Sequence, residues 1–353
     1  MSSVPVVVIG GSAGALVPLR EITANLPQDF PAAVLVVIHV SPDYPSHLPD
    51  ILSRSGPLPA RHAEQGEALL PGQIYVAPPD HHLLVAADRV RLSRGPKENR
   101  SRPSIDVLFR SAAYTHRPNV VGVLLSGMLD DGASGLWTIK QLGGRAIAQH
   151  PEDAEFDSMP LSGLRIVTVD AMPYARDIAP TLQRLLGPSV PPQEIQGMND
   201  EEWQRLELEV GIASGDNAFH SGLLTHGSPS TFTCPECHGV LIRLREGNTL
   251  RFRCHTGHAY TAVGLLSELR SSVEASLWNA ARTLDEDVML LEHLAKHHEE
   301  AGQPELADAY RAEAQDARAR GGRVRQDALR TAQTGRDRLL NLQGEAPAEA
   351  EGP

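Results

Sequence analysis

Between residues 4 and 186, short apolar runs alternate with stretches of helical pattern, and this alternation restricts the fold more than any other feature. The runs at 6–9, 33–40, 73–77, 120–125, 145–148 and 166–169 read as strands. The stretches at 16–25, 47–55, 104–114, 132–142 and 175–186 read as helices. Several strands are apolar throughout, as parallel strands covered on both faces must be. The expected fold is therefore a doubly wound, mostly parallel α/β sheet. LLVAADRVRLSR (83–94) breaks the rhythm and reads as a hairpin turning at Ala-Asp-Arg. Aromatics make up only 4% of the chain, so the core is built from Val, Leu, Ile and Ala.

The character changes at GPSVPPQEIQGMND (187–200), where Pro, Gly and Gln gather and helical periodicity stops. The expected organisation is a catalytic α/β domain over 4–187, a linker over 188–230 and a small ribbon module over 231–260. A helical hairpin over 261–342 and a disordered tail over 343–353 follow. Leu266, Leu269, Val273, Leu277, Ala281, Leu284, Val288 and Leu291 recur at steps of three and four, the mark of a long amphipathic helix. Gly302 and Gln303 mark the turn into a second helix rich in Ala, Glu and Arg, and the pair suits docking, dimerisation or covering the α/β domain.

A net charge of −12 argues against general binding to nucleic acid or insertion at an anionic membrane. There is no basic region followed by a long apolar stretch and no run of about 18 apolar residues. A soluble, cytoplasmic protein is the expectation.

The first strand runs into Gly10-Gly11-Ser12-Ala13-Gly14. A dinucleotide fingerprint would need glycine at the central place, which Ser12 occupies, and an acidic residue ending the next strand, which ends in His39. No Gly-Lys-Ser/Thr follows, so a phosphate-binding P-loop is excluded. What fits is G-x-S-x-G, in which small neighbours let a tight strand-to-helix turn present a serine hydroxyl. The plain structural alternative makes Ser12 a helix N-cap. His39 at a strand end can act as a base on that serine, or be structural. A third strand leads into a loop with Asp130 and Asp131, where an aspartate can orient the imidazole or cap the next helix. The order Ser, His, Asp differs from the Ser, Asp, His of α/β-hydrolases.

On these residues the chain resembles the catalytic domain of the chemotaxis protein-glutamate methylesterases, the CheB family. VVVIGGSAGA (6–15) is similar to the family's nucleophile turn, VVIHVSP (36–42) to its histidine segment and LLSGMLDDGASG (124–135) to its aspartate loop. Further matches are GEALLPGQIYVAPPDHHLLV (66–85), RPSIDVLF (102–109) and AQHPEDAEFDSMPLSG (148–163), so the likeness spans about residues 4–187. The resemblance implies Ser12 as nucleophile, His39 as base and Asp131 as its orienting acid. It implies the backbone N–H groups of Ala13 and Met128 as oxyanion donors. The implied reaction is cofactor-free hydrolysis of glutamate γ-methyl esters on methylated chemoreceptor-like proteins, with glutamine deamidation by the same route. Implied partners include a methyltransferase or a response regulator.

Arg102 and Arg110 are candidate substrate contacts, with a solvated surface charge as the plain alternative for either. Two departures stand out in the turn, where Ala13 and Ala15 replace the family's threonine and glycine. Ala15 requires the local backbone to accept a Cβ. The family's enzymes usually carry an N-terminal phospho-receiver, whereas the likeness here starts at residue 4, so activation by an attached receiver is not expected. A non-catalytic signalling adaptor that keeps the fold is the competing reading.

All three cysteines lie within 234–254, an odd and clustered set that suits a metal better than disulfides. Cys234-Pro-Glu-Cys237, sixteen residues, then Cys254-His-Thr-Gly-His258 has the spacing of a structural zinc ribbon. His258 is the preferred fourth ligand over His255, because an adjacent His points away from its neighbouring Cys.

Overall fold

The computed structural model describes residues 4–186, 198–246 and 249–344. It divides into two compact units, one ending at Leu265 and the other beginning at Leu266.

The first unit opens with β1 (Val6–Gly11), α1 (Leu16–Asn25), β2 (Ala33–Ile38), α2 (Leu48–Ser55), β3 (Ala60–His62) and β4 (Ile74–Val76). An antiparallel hairpin of β5 (His82–Ala86) and β6 (Arg89–Ser93) follows. Next come α3 (Ile105–His116), β7 (Val120–Leu124), α4 (Ala133–Gln141), β8 (Arg145–Ala148), α5 (Ser158–Ile166) and α6 (Ala175–Leu186). Six strands form one sheet in the order β3-β4-β2-β1-β7-β8, parallel throughout.

The apolar strands are explained by what covers them. Successive side chains of a strand point to opposite faces. Val6 and Val8 of β1 join a core with Leu108 and Phe109 of α3 and Leu136 and Ile139 of α4. Val7 and Ile9 join the opposite core with Leu19 and Ile22 of α1 and Ile178 and Leu182 of α6. A polar residue on either face of β1 would be buried without a partner.

Two expectations for this unit are corrected. Residues 166–169 are not a strand: α5 occupies 158–166, and only Ala171 bridges β8, at Ile147. A four-residue apolar run at a helix end has no period that separates helix from strand. The stretch expected as linker contains α7 (Asp200–Ala213), opened by a capping box between Asn199 and Glu202. The N-x-x-E signal was present in the sequence. Trp203 of α7 stacks on Tyr114 of α3 at 5.1 Å, and Leu206 enters the core on the α3 side of the sheet. Residues 188–197 of that stretch lie outside the described residues.

β9 (Ser228–Thr233), β10 (Val240–Glu246), β11 (Thr249–Cys254) and β12 (Ala259–Thr261) form an antiparallel sheet in the order β12-β11-β10-β9. Ile242 and Leu244 of this sheet pack on Leu208 and Ile212 of α7.

α8 (Ala262–Glu300) and α9 (Pro304–Gly344) complete the chain's described elements. In the second unit Arg311, Arg318 and Arg325 pair with Glu299, Glu292 and Asp285, so numbers rise on one helix as they fall on the other and the helices run antiparallel. Ala281, Val288 and Ala295 are buried on α8, and Ala307, Ala314 and Ala328 on α9, at multiples of seven residues. Such small side chains let two helices approach closely. Residues 345–353 of the expected tail lie outside the described residues. No helix among the described residues is long and apolar enough to cross a membrane.

Candidate active site

β1 lies between β2 and β7, where the strand order reverses, and an open α/β sheet leaves a crevice at the carboxyl ends of such strands. Ser12 follows β1, His39 follows β2, and the loop through Asp131 follows β7. Backbone bonds tie the three together. Ser12 N–H donates to Ser126 O at 3.0 Å, His39 N–H to Gly11 O at 3.2 Å and Leu125 N–H to Gly10 O at 2.8 Å.

The turn after β1 depends on Gly14, whose φ of +73° is the left-handed conformation that favours glycine. A Cβ there would lie 2.6 Å from Ser126 Oγ. Ala15, by contrast, has φ −76° and ψ −14°, ordinary right-handed backbone, and its methyl is fully buried. The Cβ at position 15 therefore carries no backbone strain. Ala15, not Ser12, is the N-cap residue of α1, which leaves the Ser12 hydroxyl without a capping role. Gly127 backs Ser12: a Cβ on Gly127 would lie 3.1 Å from Ser12 Cβ and 2.5 Å from Met159 Sδ. Gly127→Ala is expected to push Ser12 out of place and slow its labelling by a fluorophosphonate probe by about 10-fold or more. Labelling at the parent rate would show that the loop absorbs the methyl.

His39 Nε2 and Asp131 Oδ2 lie 2.8 Å apart. Asp131 is buried, and its other partners come largely from the start of α3: Ile105 N–H at 2.8 Å, Asp106 N–H at 3.3 Å and Ser104 Oγ at 2.9 Å. Asn99 Nδ2 donates at 3.1 Å. Asp131 thus serves the N-terminus of α3 rather than capping α4, whose N-cap is Gly132. Asp106 returns the exchange, accepting from Gly132 and Gly135 N–H at 3.0 and 2.7 Å at the start of α4. Burial pushes Asp131 up. The His39 bond and charge, with the Ile105 N–H and the Asn99 amide, outweigh it and hold the carboxyl below its ordinary value. Asp106 is driven well above its ordinary value by burial and by the Asp131 charge. The two buried carboxyls are thus pushed in opposite directions. Asp130 is raised to about 6, by burial first and also by the Asp131 charge, while it accepts from Thr261 Oγ1 at 2.8 Å.

Among the described residues, no protein acceptor engages the N–H of Ala13 or of Met128.

The two arginines named as candidate substrate contacts both have partners within the chain, and for Arg110 these exclude the contact. Arg110 is 1% exposed and pairs with Glu98 at 2.7 Å and Glu209 at 3.1 Å, which excludes it from touching substrate. Arg251 and Arg253 of β11 join the same cluster: Arg251 reaches Glu98, Glu209 and Glu246, and Arg253 reaches Glu98 and Glu209. Arg102 is bound to Asp80 at 2.6 Å and to the carbonyls of Arg94 and Gly95.

Cys234, Cys237, Cys254 and His258 bring one ligand atom each to within 4.8 Å of one another. Cys237 and Cys254 Sγ are 3.6 Å apart, and His258 Nδ1 is 3.7 Å from Cys234 Sγ and 3.6 Å from Cys254 Sγ. His258 Nε2 faces Glu236 at 3.4 Å. His255 stands outside the cluster and packs on Gly239.

Sequence reasoning missed Asn99, Ser104, Asp106 and Thr261. Ser104 before a helical stretch signals an N-cap, but its hydroxyl goes to Asp131 across the sheet edge. No spacing rule connects Asn99 to residues 131 and 261.

A parallel α/β sheet with polar groups gathered at the reversal of strand order defines the class: an α/β protein with its site on the β1, β2 and β7 loops. Residues 7–182 match the family model described as CheB methylesterase. A relative in Leptospira interrogans is 37% identical over 180 residues, which cover 51% of this chain and 93% of the relative. Its name carries the same pair of activities as that of the protein-glutamate methylesterase/protein-glutamine glutaminase of Pectobacterium atrosepticum. The latter is 36% identical over 190 residues, covering 53% of each chain. The CheB methylesterase catalytic domain of Thermotoga maritima superposes with a TM-score of 0.50 at 35% identity, covering 52% of this chain and 99% of that one. The chain belongs to the CheB methylesterase family.

Proposed function

We propose that this chain hydrolyses glutamate γ-methyl esters on methylated chemoreceptor-like signalling proteins, and deamidates glutamine side chains by the same route. The observation that carries this reading is the 2.8 Å pairing of His39 Nε2 with Asp131, at the strand ends next to the turn that carries Ser12, in a member of the CheB methylesterase family. Asp131, kept ionised, accepts a hydrogen bond from His39 Nε2–H and so leaves the Nδ1 lone pair of His39 for the serine. Ser12 Oγ attacks the ester carbonyl and its proton passes to His39. The N–H groups of Ala13 and Met128, without protein acceptors among the described residues, stabilise the oxyanion; one such donor is typically worth about 3 kcal/mol. The tetrahedral species collapses, methoxide takes the proton from His39 and leaves as methanol. Water, deprotonated by His39, then attacks the acyl-serine and frees the glutamate. With glutamine the leaving group is ammonia. No cofactor enters these steps. The adaptor alternative draws on the altered turn at Ala13 and Ala15 and on the added C-terminal modules; of these, the Cβ of Ala15 sits in unstrained right-handed backbone. The deciding experiment is release of labelled methanol from a methylated receptor by the full chain; no release would leave the adaptor reading standing.

The Cys-His cluster fits one structural zinc. Thiolate and imidazole ligands at about 2.0–2.3 Å from a tetrahedral zinc are about 3.5–3.8 Å apart, and the separations of 3.6–3.7 Å match. Glu236 beside His258 Nε2 is the outer-shell carboxylate that orients a metal-binding imidazole. Four protein ligands leave no coordination position for substrate, so the metal would supply stability rather than chemistry. Elemental analysis is expected to give one zinc per chain in the parent and none in Cys237→Ser; a metal-free parent that stays folded would refute this.

A further inference from the structure

The ribbon is continuous with the proposed active site. β12 starts at Ala259, immediately after His258, and lies along the segment that precedes α3. Ala259 N–H donates to Lys97 O at 3.2 Å, and Asn99 N–H donates to Ala259 O at 2.8 Å. Two residues further on, Thr261 N–H donates to Asn99 Oδ1 at 2.9 Å and Thr261 Oγ1 to Asp130 Oδ1 at 2.8 Å. The Asn99 amide is thus fixed by its oxygen. Its nitrogen is turned the other way, onto Asp131 Oδ1 at 3.1 Å and Asp106 Oδ2 at 3.1 Å. Asn99 has φ +48°, a conformation asparagine tolerates better than most residues.

We infer that Asn99 is a positioning residue for the His39–Asp131 pair, set in place by β12, so that ester cleavage depends on the ribbon. This rests on the methylesterase reading of the same site. The chemistry is specific. Asp131 must present Oδ2 to His39 while Oδ1 is held from behind. Asn99 supplies a side-chain donor to Oδ1 whose direction is dictated by a strand outside the α/β sheet. An aspartate at position 99 could still accept from Thr261 N–H but could offer Asp131 no hydrogen.

The test uses the full chain and two variants that keep the backbone bonds to Ala259. Asn99→Gly removes only the amide and accepts a positive φ without cost. Asn99→Asp keeps the shape and reverses the donor. Methanol release is expected to fall about 10- to 100-fold in kcat with KM within about twofold of the parent. Labelling with 15N-histidine, with the His39 signal assigned by its absence in His39→Gln, reads the ring tautomer at a pH where the ring is neutral. The parent is expected to hold the Nε2–H form, and both variants to show a mixture. Parent-like kcat, a change confined to KM, or an unchanged tautomer would overturn the inference. If the parent releases no methanol, the methylesterase reading fails, while the tautomer measurement still decides whether Asn99 positions Asp131.

Discussion

Ser12→Ala is expected to abolish methanol release, by as much as about 10⁶-fold in kcat, as removal of a serine nucleophile does in a triad acting as a unit. Ser126, whose carbonyl accepts from Ser12 N–H, cannot stand in for it: its hydroxyl donates to Ala13 O at 2.8 Å and is buried. The fold should not notice the change. The turn is held by Ser12 N–H on Ser126 O, by Ala15 N–H on Ser12 O and by the left-handed Gly14, none of which needs the Ser12 side chain. A melting temperature close to that of the parent, with no turnover above background, is the expected pair of results. Turnover within tenfold of the parent would remove Ser12 from the mechanism.

The second large effect concerns stability. Glu209→Gln is expected to destabilise the first unit by about 3–5 kcal/mol, the usual cost of leaving a buried charge without its partner. Glu209 accepts from Arg110, Arg251 and Arg253, all buried. These contacts join α3, α7 and β11, so the loss should appear as one cooperative transition about 10 °C lower. Calorimetry of the full chain checks this; a shift under about 2 °C would mean the remaining carboxylates absorb the charge.

The same cluster fixes the acid response. Burial pushes Glu209 up, but Arg253, Arg251 and Arg110 outweigh it and hold the carboxyl at about 2. Glu98 is likewise held well below its ordinary value against its burial, chiefly by Arg110 and Arg253. A depressed carboxyl contributes its stability above the ordinary carboxylate range and loses it as pH falls toward the folded value. For Glu209 this amounts to about 3 kcal/mol, lost between about pH 5 and 2. Asp130, raised to about 6, has the opposite sign and gains stability as it is protonated between about pH 6 and 4. The melting temperature should therefore hold or rise slightly from pH 7 to 5 and fall steeply below about pH 4.

Most of the α/β sheet was legible because its strands are buried on both faces and its helices have long, regular stripes. What escaped had no period to read. β3 is three residues long, and α5 ends in an apolar run that alternates like nothing in particular. α7 was legible from its capping box but was masked by the Pro-rich stretch before it. Arg110 was misjudged for a different reason: a charge on a helix looks solvated until the elements that bury it, here α7 and β11, are known.

By itself the sequence determined the parallel sheet, the turn that carries Ser12, and the grouping of three cysteines with a histidine. These follow from local rules of periodicity, turn chemistry and ligand spacing, which act over a few residues. Only the tertiary structure decided that Asp131 braces the start of α3, that Asp106 returns the bond to α4, and that Asn99 and Thr261 connect β12 to Asp131. Those contacts join residues 25 to 162 positions apart. Their partners are chosen by where strand order and helix ends fall in space, which no local pattern encodes.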